Sequence, residues 1–433
     1  MSKQFSVRAG ALGALLAAAA VGCQPTVTRD AYLQDATPTS MVVRWRTNAA
    51  SDSVVRYGAS PTTLTSEVSD ATMTTEHELT LTGLAPNTGY YYSIGTSTAT
   101  LAGGTSDYNF LTQPTVGQPQ PMRIWVLGDP GTGTGAQQAV RDAFYTYTGT
   151  QDPDFWLMLG DNAYTSGTDT EYQLKLFNQY PTMLRKRALW LTLGNHDGGS
   201  ADSATQTGPY YENFTLPKSG EAGGVPSGTE AYYSFDYGNI HFICLDSYET
   251  DRSPTGAMMT WMQADLAAAS ADWLIAFWHH PPYSKGSHDS DTEGALIDMR
   301  QNFLPVLESY GVDLVLAGHS HSYERSYLLD GHYGSSSTLV PSMILDAGDG
   351  REDGTGSYVK HGLGAMPHLG AVYAVPGSSG QTSGGPLNHP AMFVSLNVLG
   401  SMVLDVAGDR LDAAFVNSLG DVQDHFTLEK LPS

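Results

Sequence analysis

Short runs of strand-forming residues fill the first part of this chain. They are rich in Val, Thr and Tyr, they are separated by Gly, Pro and Asn, and they lie at residues 41–46, 53–57, 78–82 and 90–94. Segments of this length and spacing predict a small antiparallel β-sandwich between residues 27 and 111. The proline-rich residues that follow, 114–121, predict a stiff linker.

The hydrophobic pattern changes after the linker to continuous apolar runs. Three such runs, at 123–127, 155–159 and 189–193, are typical of strands buried on both faces. Helical stretches lie between them, at 136–147 and 171–187. Because crossover connections are right-handed, this β-α-β-α-β series predicts a sheet covered by helices on both faces.

A second sheet is predicted further along the chain. Residues 230–237 and 240–245 flank a Gly-Asn pair and predict a β-hairpin. Two more buried strands are expected at 273–278 and 312–317. The later residues 331–390 are rich in Gly, Ser and Asp, which predicts long surface loops.

The N-terminus has the features of an export signal. Lys3 and Arg8 precede an Ala/Leu-rich stretch at 9–21, and Ala-Val-Gly-Cys at 20–23 resembles a bacterial lipobox that would lipidate Cys23. Ala20 departs from the usual Leu, so ordinary cleavage after the alanine run is the alternative. Either way we expect the protein to be exported, as a periplasmic protein, an outer-membrane lipoprotein or a secreted protein.

These patterns divide the chain into four segments. We expect an export segment at 1–23, a β-sandwich at 26–113, the linker at 114–121 and a larger α/β domain at 122–433.

Composition narrows the possible partners. The 433 residues carry a net charge of −23, which disfavours nucleic-acid binding because phosphates would be repelled everywhere except near concentrated cations. There are only two cysteines, Cys23 and Cys244, so no disulfide framework is expected. Cys244 has apolar neighbours and is expected to be an inert core thiol.

Five short polar motifs each follow an apolar run. They are Gly-Asp-Pro-Gly at 128–131, Gly-Asp-Asn-Ala-Tyr at 160–164, Gly-Asn-His-Asp at 194–197, His-His-Pro-Pro-Tyr at 279–283 and Gly-His-Ser-His at 318–321. Loops at the carboxyl ends of strands gather ligands in open α/β sheets. Carboxylate, phenolate, amide and imidazole groups suit Fe, Mn or Zn. Two such ions that share one carboxylate can lower the pKa of a water and hold a phosphoryl group.

The motifs resemble those of the metallophosphoesterases, and specifically of the purple acid phosphatases. Residues 160–164 match that family's Gly-Asp-x-x-Tyr, and residues 318–325 are similar to its Gly-His-x-His-x-Tyr-Glu-Arg. Residues 84–92 resemble a fibronectin type III pattern, which the family's larger members carry in an N-terminal domain. The resemblance implies an α/β four-layer sandwich, with two mixed sheets flanked by helices, preceded by an all-β fibronectin III-like sandwich.

The resemblance also implies a dinuclear metal centre of Fe(III) with Fe(II), Zn(II) or Mn(II). The implied metal ligands are Asp129, Asp161, Tyr164 and His321 for the ferric ion, with Asp161 bridging, and Asn195, His279 and His319 for the divalent ion. His196 would touch the substrate or leaving group, and His288 falls where the family has a histidine that assists protonation.

Two departures from the family pattern limit this transfer, and a third point concerns the choice between two neighbouring histidines. Asp197 stands where the family has Glu, and this shorter acid is expected to alter the orientation of His196. Asp289 stands where plant members have a second histidine. His280 is a weaker ligand candidate than His279, because the match to His-x-Pro-x-Tyr fixes the register, and it is left to face substrate or to pack. Late-loop residues are expected either to overhang the metals or to be solvated, namely Lys360, His361, His368 and His389.

The sequence therefore predicts an exported phosphoesterase that hydrolyses small phosphate monoesters with a metal-bound hydroxide. A phosphodiesterase or nucleotidase that uses the same metals is the alternative among enzymes. An inactive surface-binding lipoprotein is the alternative from another class. No nucleic-acid scaffold is expected as a partner, and Cys23 offers a lipid anchor.

Overall fold

The structure is a computed structural model that describes residues 24–432, so the predicted export segment and Cys23 lie outside the described residues. Its first part is an all-β domain in which every pair of neighbouring strands is antiparallel. The six strands are β1 (Val27–Gln34), β2 (Ser40–Gly58), β3 (Ser66–Thr82), β4 (Gly89–Gly95), β5 (Thr100–Gly103) and β6 (Asn109–Leu111). Within residues 24–432, no helix combines the length and apolar character needed to cross a membrane.

A tyrosine fixes the chain reversal before β4. The Tyr90 hydroxyl accepts a hydrogen bond from the backbone N–H of Ala85 at 3.0 Å, the contact that defines a tyrosine corner in fibronectin-like sandwiches. The Tyr90 ring packs on Phe110 with the ring centroids 5.5 Å apart. Trp45 is buried in the same domain and stacks on His77. The fibronectin III-like pattern predicted from residues 84–92 therefore forms.

The remaining described residues, up to 432, contain sixteen strands and seven α-helices. The strands are β7 (Met122–Leu127), β8 (Phe155–Met158), β9 (Leu189–Leu191), β10 (Tyr233–Tyr237), β11 (Ile240–Cys244), β12 (Trp273–Trp278), β13 (Leu314–Ala317), β14 (Tyr323–Ser326), β15 (Leu328–Leu329), β16 (Ile344–Asp346), β17 (Tyr358–His361), β18 (Val372–Pro376), β19 (Met392–Leu396), β20 (Gly400–Ala407), β21 (Arg410–Asn417) and β22 (Val422–Leu431). The helices are α1 (Gly135–Thr148), α2 (Asp169–Tyr172), α3 (Pro181–Leu184), α4 (Pro209–Asn213), α5 (Ala257–Ala268), α6 (Gly294–Asp298) and α7 (Leu304–Ser309).

Two mixed seven-stranded sheets organise this part of the chain. The first has the order β17-β22-β21-β20-β7-β8-β9, and the second has the order β10-β11-β12-β13-β18-β14-β19. Strands β7, β8 and β9 are mutually parallel, as are β11, β12, β13 and β18. The predicted hairpin is present as β10 and β11, and it joins the second sheet as expected.

The two sheets pack against each other through aromatic side chains. Trp190 of the first sheet stacks on Phe235 of the second, with the ring centroids 3.9 Å apart. On the opposite face of the first sheet, Trp125 stacks on Phe144 of α1 at 4.1 Å. The four-layer sandwich is thereby confirmed. The expectation of one sheet with helices on both faces was wrong, because the second sheet covers one face of the first.

Two local predictions also failed. The helix expected at 171–187 is broken into α2, a π-helical turn at Gln173–Phe177 and α3. Pro181 causes the second break, because proline lacks the N–H that would continue the helix and is tolerated only in a first turn. The loops expected at 331–390 contain β18, which lies in the interior of the second sheet between β13 and β14.

The parallel strands bring the five motifs to one region. Asp129, Asp161 and Asn195 follow β7, β8 and β9, whereas His279 and His319 follow β12 and β13. Since the carboxyl ends of parallel strands meet at the same edge of a sheet, residues far apart in the chain are placed together.

Candidate metal centre

Three of the predicted ligands sit in a left-handed backbone conformation directly after their strands. The φ angle is 57° at Asp129, 51° at Asp161 and 66° at His319. Non-glycine residues adopt this region rarely, and Asp and His do so more often than most. Such strained residues concentrate at functional sites, because the surrounding structure must hold them there.

The glycines of the motifs allow the loops to approach one another. A Cβ atom on Gly160 would collide with the ring of His279, and one on Gly318 would collide with the Asp129 carboxylate. These two positions therefore need glycine because ligand side chains from other motifs occupy the space beside them.

One group of candidate ligands consists of Asp129, Tyr164 and His321. The Tyr164 hydroxyl lies 3.2 Å from Asp129 Oδ1 and 3.1 Å from His321 Nε2. The other ring nitrogen of His321 lies 2.8 Å from the Ser383 hydroxyl, and the backbone N–H of His319 donates to Asp129 Oδ2 at 2.7 Å. These outer contacts orient the ligand atoms toward a common point.

The second group consists of Asn195, His279 and His319. His279 donates its Nδ1 hydrogen to the carbonyl of Leu159 at 2.8 Å, so its Nε2 carries a lone pair. That Nε2 lies 3.0 Å from Asn195 Oδ1 and 3.2 Å from His319 Nδ1. His319 has its Nε2 3.4 Å from a Glu293 carboxylate oxygen, which leaves a lone pair on Nδ1 as well. In these tautomers three electron-pair donors face one another, an arrangement that suits a bound cation.

Asp161 lies between the two groups. Its Oδ1 is 3.4 Å from His279 Nε2, and one of its carboxylate oxygens lies within 4.8 Å of ligand atoms of Asp129 and His321. The backbone N–H of His196 donates to Asp161 Oδ1 at 2.9 Å and fixes the carboxylate. Asp161 is therefore placed to contact both metal positions.

The electrostatics of the pocket match a metal site. Burial raises the pKa of Asp129, and the nearby charge of Asp161 raises it further. Burial lowers the pKa of His319 and of His321 to about 4, so both imidazoles are neutral near pH 7. Within the described residues, the ion-pair contacts of Asp129 and Asp161 are with histidines alone. Two buried carboxylates and neutral imidazoles form a donor set that fits divalent or trivalent ions.

Two histidines lie at the open side of the pocket. About one third of each side chain is exposed, 33% for His196 and 31% for His288. The Nδ1 of His196 donates to the carbonyl of Thr165 at 2.6 Å. The Nδ1 of His288 lies 3.0 Å from both carboxylate oxygens of Glu293, and its ring lies 3.7 Å from that of His319. The Nε2 of His196 lies 3.9 Å from Asp161 Oδ2, which is beyond hydrogen-bond distance, so this nitrogen and the Nε2 of His288 can both bind a ligand.

The departures from the family pattern have structural explanations. Asp197 is fully buried and accepts hydrogen bonds from the backbone of Asn162 and Gly194. The hydrogen bonds of Asp197 therefore join two motif loops. The His196 ring is held instead by the carbonyl of Thr165, so Asp197 does not orient that ring directly. Asp289 pairs with Lys285 at 3.2 Å.

His280 is buried beside the pocket. Its Nδ1 lies 2.9 Å from the Ser247 hydroxyl, and its ring lies 4.4 Å from that of His319. A ligand atom of His280 lies within 4.8 Å of those of His279 and His319. His280 therefore packs against the divalent position, while His279 makes the contact to Asn195.

Sequence reasoning missed the side chains that support the ligands. Glu293, Ser383 and Gln381 come from loops with no recognisable motif, and Gln381 Nε2 lies 3.3 Å from His321 Nε2. Of the two outcomes expected for the late-loop residues, exposure to solvent describes His361 and His368, whereas Lys360 and His389 are buried away from the candidate ligands. Lys360 is buried against Asp313, His361 is exposed, His368 pairs with Asp330, and His389 packs on Tyr283.

Comparison with known protein families agrees with the fold. Residues 122–323 match the family described as calcineurin-like phosphoesterase, and residues 29–112 match the purple acid phosphatase N-terminal domain. The larger domain is thus a calcineurin-like metallophosphoesterase. With both matches in one chain, the protein is similar to the purple acid phosphatases, a family that implies a dinuclear metal centre.

Individual relatives show the extent of the similarity. Purple acid phosphatase 23 of Arabidopsis thaliana is 30% identical over 293 residues, which cover 59% of this chain and 59% of that protein. Purple acid phosphatase 15 of the same plant is 30% identical over 279 residues, covering 58% of this chain and 49% of that protein. The match thus spans about half to three fifths of these relatives. A solved purple acid phosphatase from yellow lupin (Lupinus luteus) seeds has the same fold, with a TM-score of 0.70 at 18% identity over 92% of this chain and 74% of that chain.

Proposed function

We propose that this protein is an exported, dinuclear metal-dependent phosphoesterase that hydrolyses small phosphate monoesters. The observation that carries the proposal is the position of Asp161 between two groups of electron-pair donors. A carboxylate placed in this way can hold two metal ions close enough to act on one phosphoryl group. The metal pair would also attract an anionic substrate to a chain whose net charge is −23.

The candidate ligands at the two metal positions differ in their donor atoms and so favour different metal ions. Asp129, Tyr164 and His321 offer two anionic oxygens and one imidazole once the phenol is deprotonated, which favours Fe(III). Asn195, His279 and His319 offer neutral donors, which suit Fe(II), Zn(II) or Mn(II). When bound, the ions would supply Lewis acidity toward the phosphoryl oxygens and lower the pKa of a water.

The two partly exposed histidines would handle the substrate. The Thr165 carbonyl holds His196, so the free Nε2 of this histidine can bond a phosphoryl oxygen. Glu293 holds Nδ1 of His288, so the free Nε2 of His288 can transfer a proton to the oxygen of the leaving group. Burial of the ligand carboxylates keeps water away from the metal side of the pocket.

One purified sample can test the function and its alternatives. Elemental analysis should find two metal ions per chain, and p-nitrophenyl phosphate should be hydrolysed faster than bis(p-nitrophenyl) phosphate. Faster turnover of bis(p-nitrophenyl) phosphate would indicate that the protein is a phosphodiesterase. Protein that binds no metal and hydrolyses no phosphate ester would overturn the proposal and favour an inactive binding protein.

Export and lipidation form a separate part of the proposal. They rest on the basic N-terminus, the apolar stretch at 9–21 and the Ala-Val-Gly-Cys sequence. Expression in a bacterial host with labelled palmitate should give a labelled, membrane-associated protein, and Cys23→Ala should remove the label. A wild-type protein that stays unlabelled but is exported would indicate ordinary signal cleavage instead. Retention in the cytoplasm would contradict export.

A further inference from the structure

The N-terminal domain contacts the metallophosphoesterase domain at α2. Arg46 of β2 donates to both carboxylate oxygens of Asp169, the first residue of α2, at 2.7 Å each. Arg29 of β1 donates to Asp169 Oδ1 at 2.8 Å. Asp169 thus accepts three charge-assisted hydrogen bonds from the other domain, two of them in the paired geometry that arginine and carboxylate favour.

Arg29 is buried in this contact. It is 1% exposed, and its Nε donates to Gln173 Oε1 at 2.8 Å. Its guanidinium also lies over the ring of Phe177, 3.9 Å from the centroid. A cation of the N-terminal domain is therefore held against the residues that follow α2.

The same turn of helix supports the loop that carries Tyr164. The Glu171 carboxylate accepts hydrogen bonds from the backbone N–H groups of Thr165, Ser166 and Thr168. These residues follow Tyr164 directly, and the Thr165 carbonyl in turn holds His196. The position of Glu171 therefore fixes the loop between a candidate ligand and its helix.

The next residue of α2 supports two other motif loops. Tyr172 donates its hydroxyl hydrogen to Asp197 Oδ1 at 2.7 Å. Asp197 accepts the backbone N–H of Asn162 at 3.1 Å and that of Gly194 at 2.9 Å. These amides adjoin Asp161 and Asn195, so α2 is connected to both metal positions.

Helix α2 has only four residues, and a helix of that length has no stability of its own in water. Its position must come from the groups that contact it. We propose that the N-terminal domain is a positioning element for the metal centre, in which Arg29 and Arg46 hold Asp169 so that Glu171 and Tyr172 fix the metal-binding loops. The inference depends on the proposed function in one respect, because it assumes that those loops bind metals.

Arg56 provides a matched control for Arg46. Both arginines lie on β2 and both pair with a glutamate of β3, Arg46 with Glu76 and Arg56 with Glu67. Only Arg46 of these two also has an ion pair with the larger domain in the described residues. The substitutions Arg46→Gln and Arg56→Gln therefore remove the same charge from the same strand, and only the first breaks the contact to α2.

The test is hydrogen exchange of the full chain, loaded with Zn²⁺ and after chelation, followed by titration with Zn²⁺. In Arg46→Gln, exchange at residues 162–172 should rise by roughly tenfold and the Zn²⁺ affinity should fall by about tenfold, the size of effect seen when outer contacts of a metal site are removed. Arg56→Gln should change neither. Arg46→Lys should rescue only in part, because lysine lacks the planar fork.

Asp169→Asn weakens the same contact by a change in the larger domain. It therefore provides a second test that does not depend on the folding of the N-terminal variants. It should show the same local rise in exchange. The proposal is overturned if both variants match Arg56→Gln at residues 162–172, or if Zn²⁺ affinity is unchanged. A uniform rise in exchange across the chain would also overturn it, because that indicates global destabilisation. Exchange after chelation needs no turnover, so this result is independent of whether the wild-type protein hydrolyses phosphate esters.

Discussion

The Nδ1 of His288 lies 3.0 Å from the Glu293 carboxylate, and the ring of His288 packs against that of His319. This contact fixes the imidazole at the open side of the metal pocket. It also leaves Nε2 as the nitrogen that can carry a proton toward a leaving group.

The first prediction concerns this proton. His288→Ala should lower turnover of phenyl phosphate by about a hundredfold, within the range of general acid catalysis. Turnover of p-nitrophenyl phosphate should fall much less, because nitrophenolate leaves without a proton. Steady-state kinetics with both esters measure the difference, and His361→Ala, an exposed residue of β17, serves as the control. Equal losses with the two esters would remove His288 from the role of proton donor.

The second prediction concerns Asp161, the carboxylate proposed to bridge the two metal ions. Asp161→Ala should abolish metal binding and reduce turnover at least roughly a thousandfold, because both ions lose a ligand and with it several kcal/mol of transition-state stabilisation. Elemental analysis and a phosphate-ester assay on the same sample measure both effects. Asp142→Ala, at an exposed position of α1, should change neither. Full activity in Asp161→Ala would rule out the bridge.

The third prediction concerns the colour of the protein. A phenolate on ferric iron gives a visible charge-transfer band, so iron-loaded wild-type protein should be coloured and Tyr164→Phe should lose the band while it retains iron through Asp129 and His321. The absorption spectrum and iron content decide this. Tyr248→Phe, near the pocket beside His280, should keep the band. A colourless, iron-free and active wild-type enzyme would instead indicate a zinc or manganese centre.

The sequence marks the candidate ligands more clearly than the side chains that support them. Four of the five ligand motifs combine a glycine with Asp, Asn or His directly after an apolar run, and the fifth begins with His279 directly after β12. These features have local physical causes. Glu293 and Ser383 carry no such signal, because their roles depend on contacts with histidines that come from other loops. A pattern along one chain does not encode which distant side chain will meet a ring nitrogen.

Prediction of the fold was limited in the same way, because a local sequence pattern does not show which distant segments will pack together. The strands with continuous apolar runs, such as β7 and β12, could be recognised from local sequence. β18 could not, because it lies in a segment rich in Gly, Ser and Asp, and its burial is supplied by β13 and β14 on either side. The order of strands in the two sheets also depends on long-range packing, such as that of Trp190 on Phe235.

The last prediction concerns a buried histidine away from the metal pocket. His241 on β11 has Nδ1 2.6 Å from Asp236 and Nε2 2.9 Å from Asp265 of α5. Burial lowers the pKa of His241, but the hydrogen bonds to Asp236 and Asp265 outweigh this effect and raise the pKa to about 9. The protonated imidazole therefore joins the hairpin to the helix.

A histidine whose pKa is raised on folding stabilises the protein fully below its unfolded pKa, about 6.5, and loses that contribution as the pH rises through its folded pKa. The stability that wild type gains over His241→Gln should thus be largest below pH 6.5 and should shrink by roughly 3 kcal/mol by pH 10. Denaturant unfolding of both proteins at pH 6 and pH 10 measures this change. His361→Gln, at an exposed position, should show no such trend. If the difference between wild type and His241→Gln stays constant with pH, folding leaves the pKa of His241 at its unfolded value and the two carboxylates do not hold its proton.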